Sequence, residues 1–206
     1  MGERGGAWPV GDDVTAVVDM RQRPSRKAVF LDRDGVINEP LVREGKPYPP
    51  ASVADFRIYP EAAPACKLLK EAGFLLVVAT NQPDVGRGTQ QRAVVEAIHA
   101  RMCESLPIDR VEVCYDSHEG ISGLYKPAPG MLFKAAEELA VELSLSYMVG
   151  DRWRDIDCGH AAGCTTVFID RGYREALRKQ PHFRAASLAE AAAIILWNSI
   201  PEHACR

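Results

Sequence analysis

The sequence predicts an α/β fold with a mainly parallel sheet, and three observations carry that reading. Short apolar runs recur at Ala28 to Leu31, Phe74 to Thr80, Val111 to Cys114, Tyr147 to Val149 and Thr165 to Ile169. Apolar runs of strand length bounded by turn residues read as strands buried on both faces. Segments with helical periodicity fall between them, and strands alternating with helices imply βαβ units. Polar residues also gather where the runs end, at Asp32, Thr80 and Asp151. That is the carboxyl end of the strands, where ligands bind in parallel sheets.

Taken in order, residues 1–26 are rich in Gly, Asp, Arg and Pro, with a short apolar patch at Val14 to Val18. They are expected to form an extension outside a domain spanning 27–200. After the first strand, Pro40, Pro47, Pro49 and Pro50 mark a loop over 39–52, expected to be a fairly rigid connection. Pro60 and Pro64 then flank the start of a helix that runs to about Ala72, with Gly73 as its stop. The second strand, Phe74 to Thr80, precedes a helix from Thr89 to Ser105, in which Val94, Val95, Ile98 and Met102 share one face. The short third strand leads through a Gly-containing loop to Lys126 and a helix from Pro129 to Leu143. The fourth strand ends at Gly150-Asp151, followed by a short helix from Asp155 to Ala162 that stops at Gly163. The fifth strand precedes a closing helix, Ser187 to Trp197, capped by Ser187.

Composition limits the class of function. The chain has 206 residues, 47% hydrophobic and 26% charged, which is ordinary for a globular domain. A net charge of −3 and a pI near 6.0 offer no electrostatic footprint for nucleic acid or an anionic membrane. The longest apolar run, Phe74 to Ala79, is strand-sized and too short to span a bilayer. The first residues show neither an apolar h-region nor a cleavage pattern, so no signal peptide is expected. The six cysteines lack framework spacing and read as reduced thiols filling the core. Together these features lead to the expectation of a soluble cytoplasmic domain, and with no interface signature in the sequence a monomer is the default expectation.

The chemistry centres on Asp32-Arg33-Asp34-Gly35, directly after the first strand. Side chains two apart in a strand share a face, and Gly35 lets the backbone turn beside them. Two carboxylates that close repel unless a cation lies between them or one is protonated. Such a pair suits Mg²⁺ chemistry, with one acid as nucleophile and the other as general acid/base. The second strand ends in Thr80-Asn81-Gln82, whose hydroxyl and amides suit phosphate oxygens, although a Thr-Asn pair serves equally as a turn or cap. Lys126 precedes Pro127 and a helix start, where its ammonium can balance a phosphoryl group. Asp151 ends the fourth strand and can reach a metal there. Asp155 lies at a helix start and reads either as a cap favoured by the dipole or as support behind the metal.

In order, DRDGVIN, VVATNQ, KP and VGDRWRD resemble the four motifs of the haloacid dehalogenase (HAD) superfamily of phosphotransferases. The resemblance covers residues 27 to about 171 and implies a Rossmann-like three-layer sandwich. It implies Asp32 as the nucleophile that becomes an aspartyl-phosphate, Asp34 as general acid/base and Lys126 as stabiliser of the phosphoryl group. Thr80 and Asn81 would bind that group, and Asp32, the Asp34 carbonyl and Asp151 would hold Mg²⁺. With no long insertion after the first motif or between the second and third, the chain is similar to capless members.

FLDRDGVIN, TNQPDVGRG and KPAPGM narrow the likeness to the D,D-heptose 1,7-bisphosphate phosphatases and their sisters, the histidinol-phosphate phosphatases. This resemblance implies a sugar bisphosphate, with histidinol phosphate or another small phosphomonoester as the alternative substrate and a non-catalytic phospho-ligand binder as the alternative class. Arg87-Gly88 matches the family's substrate-side loop, which makes Arg87 a candidate for a second phosphate or sugar contact. Relatives carry a zinc loop of the form CxH…CxCRKP. Here only Cys114 survives, with Asp116, Ser122 and Leu124 at the other positions and His118 displaced. Zinc takes four N or S ligands in a closed site, so no structural zinc is expected. Tyr125 replaces the arginine that relatives set against the substrate.

Overall fold

The computed structural model describes residues 25–200. Strands β1 (Ala28–Leu31), β4 (Leu75–Asn81), β5 (Arg110–Cys114), β6 (Tyr147–Gly150), β7 (Thr165–Ile169) and β8 (Phe183–Ala185) form one sheet in the order β5-β4-β1-β6-β7-β8. Every pairing in it is parallel. A hairpin of β2 (Leu41–Arg43) and β3 (Lys46–Tyr48) stands apart from this sheet. The helices are α1 (Ala62–Glu71), α2 (Pro83–Gly86), α3 (Arg92–Ser105), α4 (Gly130–Leu139), α5 (Trp153–Ala162) and α6 (Leu188–Asn198).

The strands read as unbroken apolar runs because helices cover both faces of the sheet. Within β1, Val29 and Leu31 join the core lined by Leu69 of α1, Ile98 of α3 and Ile195 of α6. Ala28 and Phe30 alternate to the opposite core, with Met131 and Leu132 of α4 and Cys158 of α5. Three layers result, as the sequence predicts. Burying each large apolar side chain of these cores contributes about 1.5–3 kcal/mol.

Register decides where the polar residues stand. Leu31 pairs with Val78 on one side and Val149 on the other, and the Asp32 amide continues the ladder to the Val149 carbonyl at 2.9 Å. The segments after β1, β4 and β6 therefore emerge side by side. Strand order runs outward from β1 in both directions, so this edge is the crevice in which such sheets bind ligands.

Several elements differ from the sequence expectation. The loop over 39–52 contains the hairpin, closed by Glu44 and Gly45, both at positive φ. Position 129–143 is not one helix. Ala140, at φ 53°, ends α4 in the left-handed region, and Val141 instead bridges to Arg26. A one-turn helix, α2, precedes α3, and β8 adds a short edge strand. The expected extension lies outside the described residues apart from Ser25 and Arg26, and Arg26 is bonded to Leu139, Ala140 and Glu142. Among the described residues, no helix is long and apolar enough to cross a membrane.

Candidate active site

The β1, β4 and β6 ends, with the loop before α4, bring Asp32, Thr80, Asn81, Asp151 and Lys126 into one region. Lys126 is its hub. Its Nζ donates to Asp32 Oδ1 at 2.8 Å, Asp155 Oδ1 at 2.6 Å and the Ala79 carbonyl at 2.7 Å. Burial opposes an ammonium there, but Asp155 and Asp32 outweigh it and hold the lysine charged. Burial raises Asp32 to about 6, with Lys126 pulling the other way and Asp155 adding to the rise.

Asp34 has different surroundings. Arg33, wholly buried, donates to both its oxygens at 3.3 and 2.8 Å. Asn38 Nδ2 and Gln82 Nε2 each add a bond of 3.0 Å. Burial alone would raise its pKa; Arg33, Asn38 and Gln82 lower it below the usual range. The other side of the Arg33 guanidinium meets His99 Nε2 at 3.1 Å. Burial and Arg33 depress that imidazole to about 4, so at neutral pH its Nε2 is an acceptor. Two acids two residues apart are thus held in opposite protonation tendencies.

Asp151 carries the sharpest sign of a missing partner. Both its carboxylate oxygens are buried without a hydrogen bond. Burial, followed by Asp32 and Asp155, pushes its pKa well above the ordinary value. One oxygen each from Asp32, Asp151 and Asp155 lie within 4.8 Å of one another. A hard divalent cation takes carboxylate oxygens and would relieve this crowding, so the donor set fits Mg²⁺. Gly35, at φ +89°, makes room, because a Cβ there would fall 1.7 Å from Asp151 Oδ2. Of the set, Asp155 is already engaged: Oδ1 holds Lys126 and Oδ2 accepts the Arg152 amide at 3.0 Å. It thus closes the capping box at the start of α5 and is the counter-ion of Lys126.

Asn81 does something the sequence did not suggest. Its Nδ2 donates to the Lys126 carbonyl and its Oδ1 accepts the Lys126 amide, both at 3.0 Å. The side chain fixes the lysine's backbone. Gln82, which the sequence places only at a strand end, links Asp34 to Thr80 Oγ1 through its Nε2, both bonds at 3.0 Å. The i to i+2 spacing that puts Thr80 and Gln82 on one face is the sequence signal that could have found it.

A cavity of about 300 Å³ opens above these groups, lined among others by Asp32, Asp34, Thr80, Asn81, Tyr125 and Lys126. Tyr48 and its flanking prolines form one wall, while Arg87, Arg152 and Arg154 also face it. Arg87 is half exposed and 3.3 Å from Asp84. Tyr125 is only 7% exposed and packs against the core beneath α4. In the altered loop, Asp116 Oδ2 accepts the Ser122 amide at 3.1 Å and also the Ser122 hydroxyl.

A HAD-hydrolase-like family model matches residues 124–191. A D-glycero-D-manno-heptose-1,7-bisphosphate 7-phosphatase of Thermosynechococcus vestitus is 32% identical over 189 residues, covering 81% of this chain and 93% of its own length. A D-glycero-beta-D-manno-heptose-1,7-bisphosphate 7-phosphatase of Pseudomonas aeruginosa is 35% identical over 153 residues, or 72% of this chain and 83% of its own. The crystal structure of D,D-heptose 1,7-bisphosphate phosphatase from B. bronchiseptica, complexed with magnesium and phosphate, matches at TM-score 0.68 and 26% identity, covering 84% of this chain and 99% of that one. The chain therefore belongs to the HAD-like phosphatase family, among the relatives of the heptose 1,7-bisphosphate 7-phosphatases.

Proposed function

We propose that this phosphatase removes the C7 phosphate of D-glycero-D-manno-heptose 1,7-bisphosphate, using Asp32 as nucleophile. The observation that carries the chemistry is Lys126 held between Asp32 and Asp155 beside the unpartnered carboxylate of Asp151. The substrate rests on the relatives' names and on a cavity with cations beyond the reacting centre. Asp32 attacks phosphorus, the bond from phosphorus to the sugar oxygen breaks, and that oxygen takes a proton from Asp34. Water then attacks the aspartyl-phosphate, Asp34 takes its proton back, and inorganic phosphate leaves. Arg33, Asn38 and Gln82 favour Asp34 as the carboxylate, the form it needs when it deprotonates water. Lys126 balances charge on the transferring group. Asp32, Asp151 and the Asp34 carbonyl would hold Mg²⁺, which would neutralise charge on the carboxylates and on the phosphoryl oxygens. Thr80 and the cavity face of Asn81 border the same group.

The reading includes a monomer and no structural zinc, the latter because Cys114 and a displaced His118 do not make the four N or S ligands of a closed site. Metal analysis of the purified protein, expected to find no stoichiometric zinc, and its mass in solution check both statements.

Phosphate release with Mg²⁺ tests the function on both heptose 1,7-bisphosphate anomers, histidinol phosphate, fructose 1,6-bisphosphate and an aryl phosphate. A preference of about a hundredfold or more for a heptose bisphosphate, abolished by EDTA, is expected. Asp32→Asn should lower kcat by about 10⁴-fold or more while the folded protein still binds phosphate. Activity confined to other substrates would retain the chemistry and overturn the substrate. Silence across the panel from folded protein would overturn the enzyme reading.

A further inference from the structure

Four cations face the cavity: Arg87, Lys126, Arg152 and Arg154. Their partners differ, and that difference sorts them. Lys126 is committed to Asp32 and Asp155 at the reacting centre. The Arg152 guanidinium is held in a bidentate pair with Glu175, at 2.7 and 2.8 Å. Such fork-on-carboxylate pairs are the strong ones and hold this guanidinium in place. Arg87 sits on an exposed turn against Asp84, itself part of the cavity wall.

Arg154 is held loosely. Its contacts are Glu119 at 3.4 Å and Glu175 at 3.9 Å, and its side chain is 29% exposed. Arg154 lines the cavity, and neither glutamate does. Its stem is rigidly placed, because the next residue is Asp155, whose two oxygens bind Lys126 Nζ and the Arg152 amide. The guanidinium also lies over the Trp153 ring, 4.5 Å from its centroid. A cation that is anchored at its base, weakly paired at its head and exposed to the cavity is suited to an anionic group on a ligand.

We propose that Arg154 recognises the substrate's second, non-reacting phosphate and so determines specificity for a bisphosphate over a monophosphate. This rests on the sugar-bisphosphate reading above. Tyr125 cannot supply that charge: it is buried against the core and carries a neutral phenol. Arg154, the second residue of α5, supplies it from a different strand end. Its long contacts to Glu119 and Glu175 would yield to a dianion.

The test compares two substrates that share the scissile C7 phosphate, heptose 1,7-bisphosphate and heptose 7-phosphate, with wild type, Arg154→Ala and Arg154→Lys. The ratio of their kcat/KM values should fall about tenfold to a hundredfold in Arg154→Ala. The change should lie in KM for the bisphosphate, with Arg154→Lys recovering part of it as a point charge without the fork. A merely structural role would lower kcat on both substrates together and leave the ratio where it was, and that result would overturn the proposal. An unchanged ratio with unchanged rates would do the same. Wild type that shows no preference for the bisphosphate would remove the bisphosphate reading itself, a failure visible before any variant is made.

Discussion

Two single side chains at the site act through geometry that their residue types do not announce. Asn81 has its amide on both backbone atoms of Lys126. Asn81→Ala leaves a buried amide and carbonyl without partners, which costs about 1–3 kcal/mol. Chemical denaturation should show that loss as a lower midpoint at unchanged m, together with a fall in kcat as the ammonium loses its seat. Gly35 is the second. An added methyl would overlap an Asp151 oxygen, at a φ that L-residues rarely adopt. Displacing a ligand by an ångström can cost on the order of a hundredfold in rate. Gly35→Ala should therefore lose about that much activity and bind Mg²⁺ more weakly by calorimetric titration. Normal Mg²⁺ affinity in that variant would show that Asp151 does not hold the metal.

At the scale of elements, agreement with the sequence was best where periodicity and caps pointed the same way. The strand from Leu75, the helix ending before Gly73, the stop at Gly163 and the Ser187 cap all stand where expected. Disagreement came where local signals conflicted. Pro47 and Pro49 argued against strands, yet the isolated hairpin tolerates proline, and its turn takes two positive-φ residues. Helix propensity alone would carry α4 on to Leu143. The pairing of Val141 with Arg26 ends it four residues earlier, and non-glycine Ala140 takes the left-handed cap. That conformation disfavours a Cβ, so Ala140→Gly should stabilise the protein by about 0.5–1 kcal/mol, seen as a small rise in melting temperature with activity unchanged. A lower melting temperature would contradict the strained-cap explanation.

For the molecule as a whole, the parallel sheet gathers negative charge at one edge, and metal and pH must act on it together. Asp32 and Asp151 both have pKa values raised in the fold. A raised acid favours folding while it keeps its proton, below the ordinary value of 3.8, and that stabilisation is lost as pH rises through the folded value, about 6 for Asp32. Mg²⁺ held by these acids would bind the ionised forms and compete with those protons. The gain in melting temperature from Mg²⁺ over EDTA should thus be larger at pH 8 than at pH 5. At a hundredfold excess over Kd it corresponds to about 2.7 kcal/mol. Equal gains at the two pH values would show that these acids do not carry the metal.

The sequence by itself determined the layered α/β architecture, the family, and the acids and lysine at the strand ends. Those follow from signals that are local: apolar run length, i to i+2 spacing and motifs in fixed order. Only the tertiary structure decided how these groups share protons and charge. Arg33 lies buried against Asp34 and His99, Asn81 braces Lys126, Asp155 serves as both cap and counter-ion, and Arg154 lines the cavity beside an Arg152 paired with Glu175. Each of these depends on strand register and loop closure between residues far apart in the chain, and pairwise electrostatics inside a low-dielectric crevice are set by distances that spacing along a sequence does not specify.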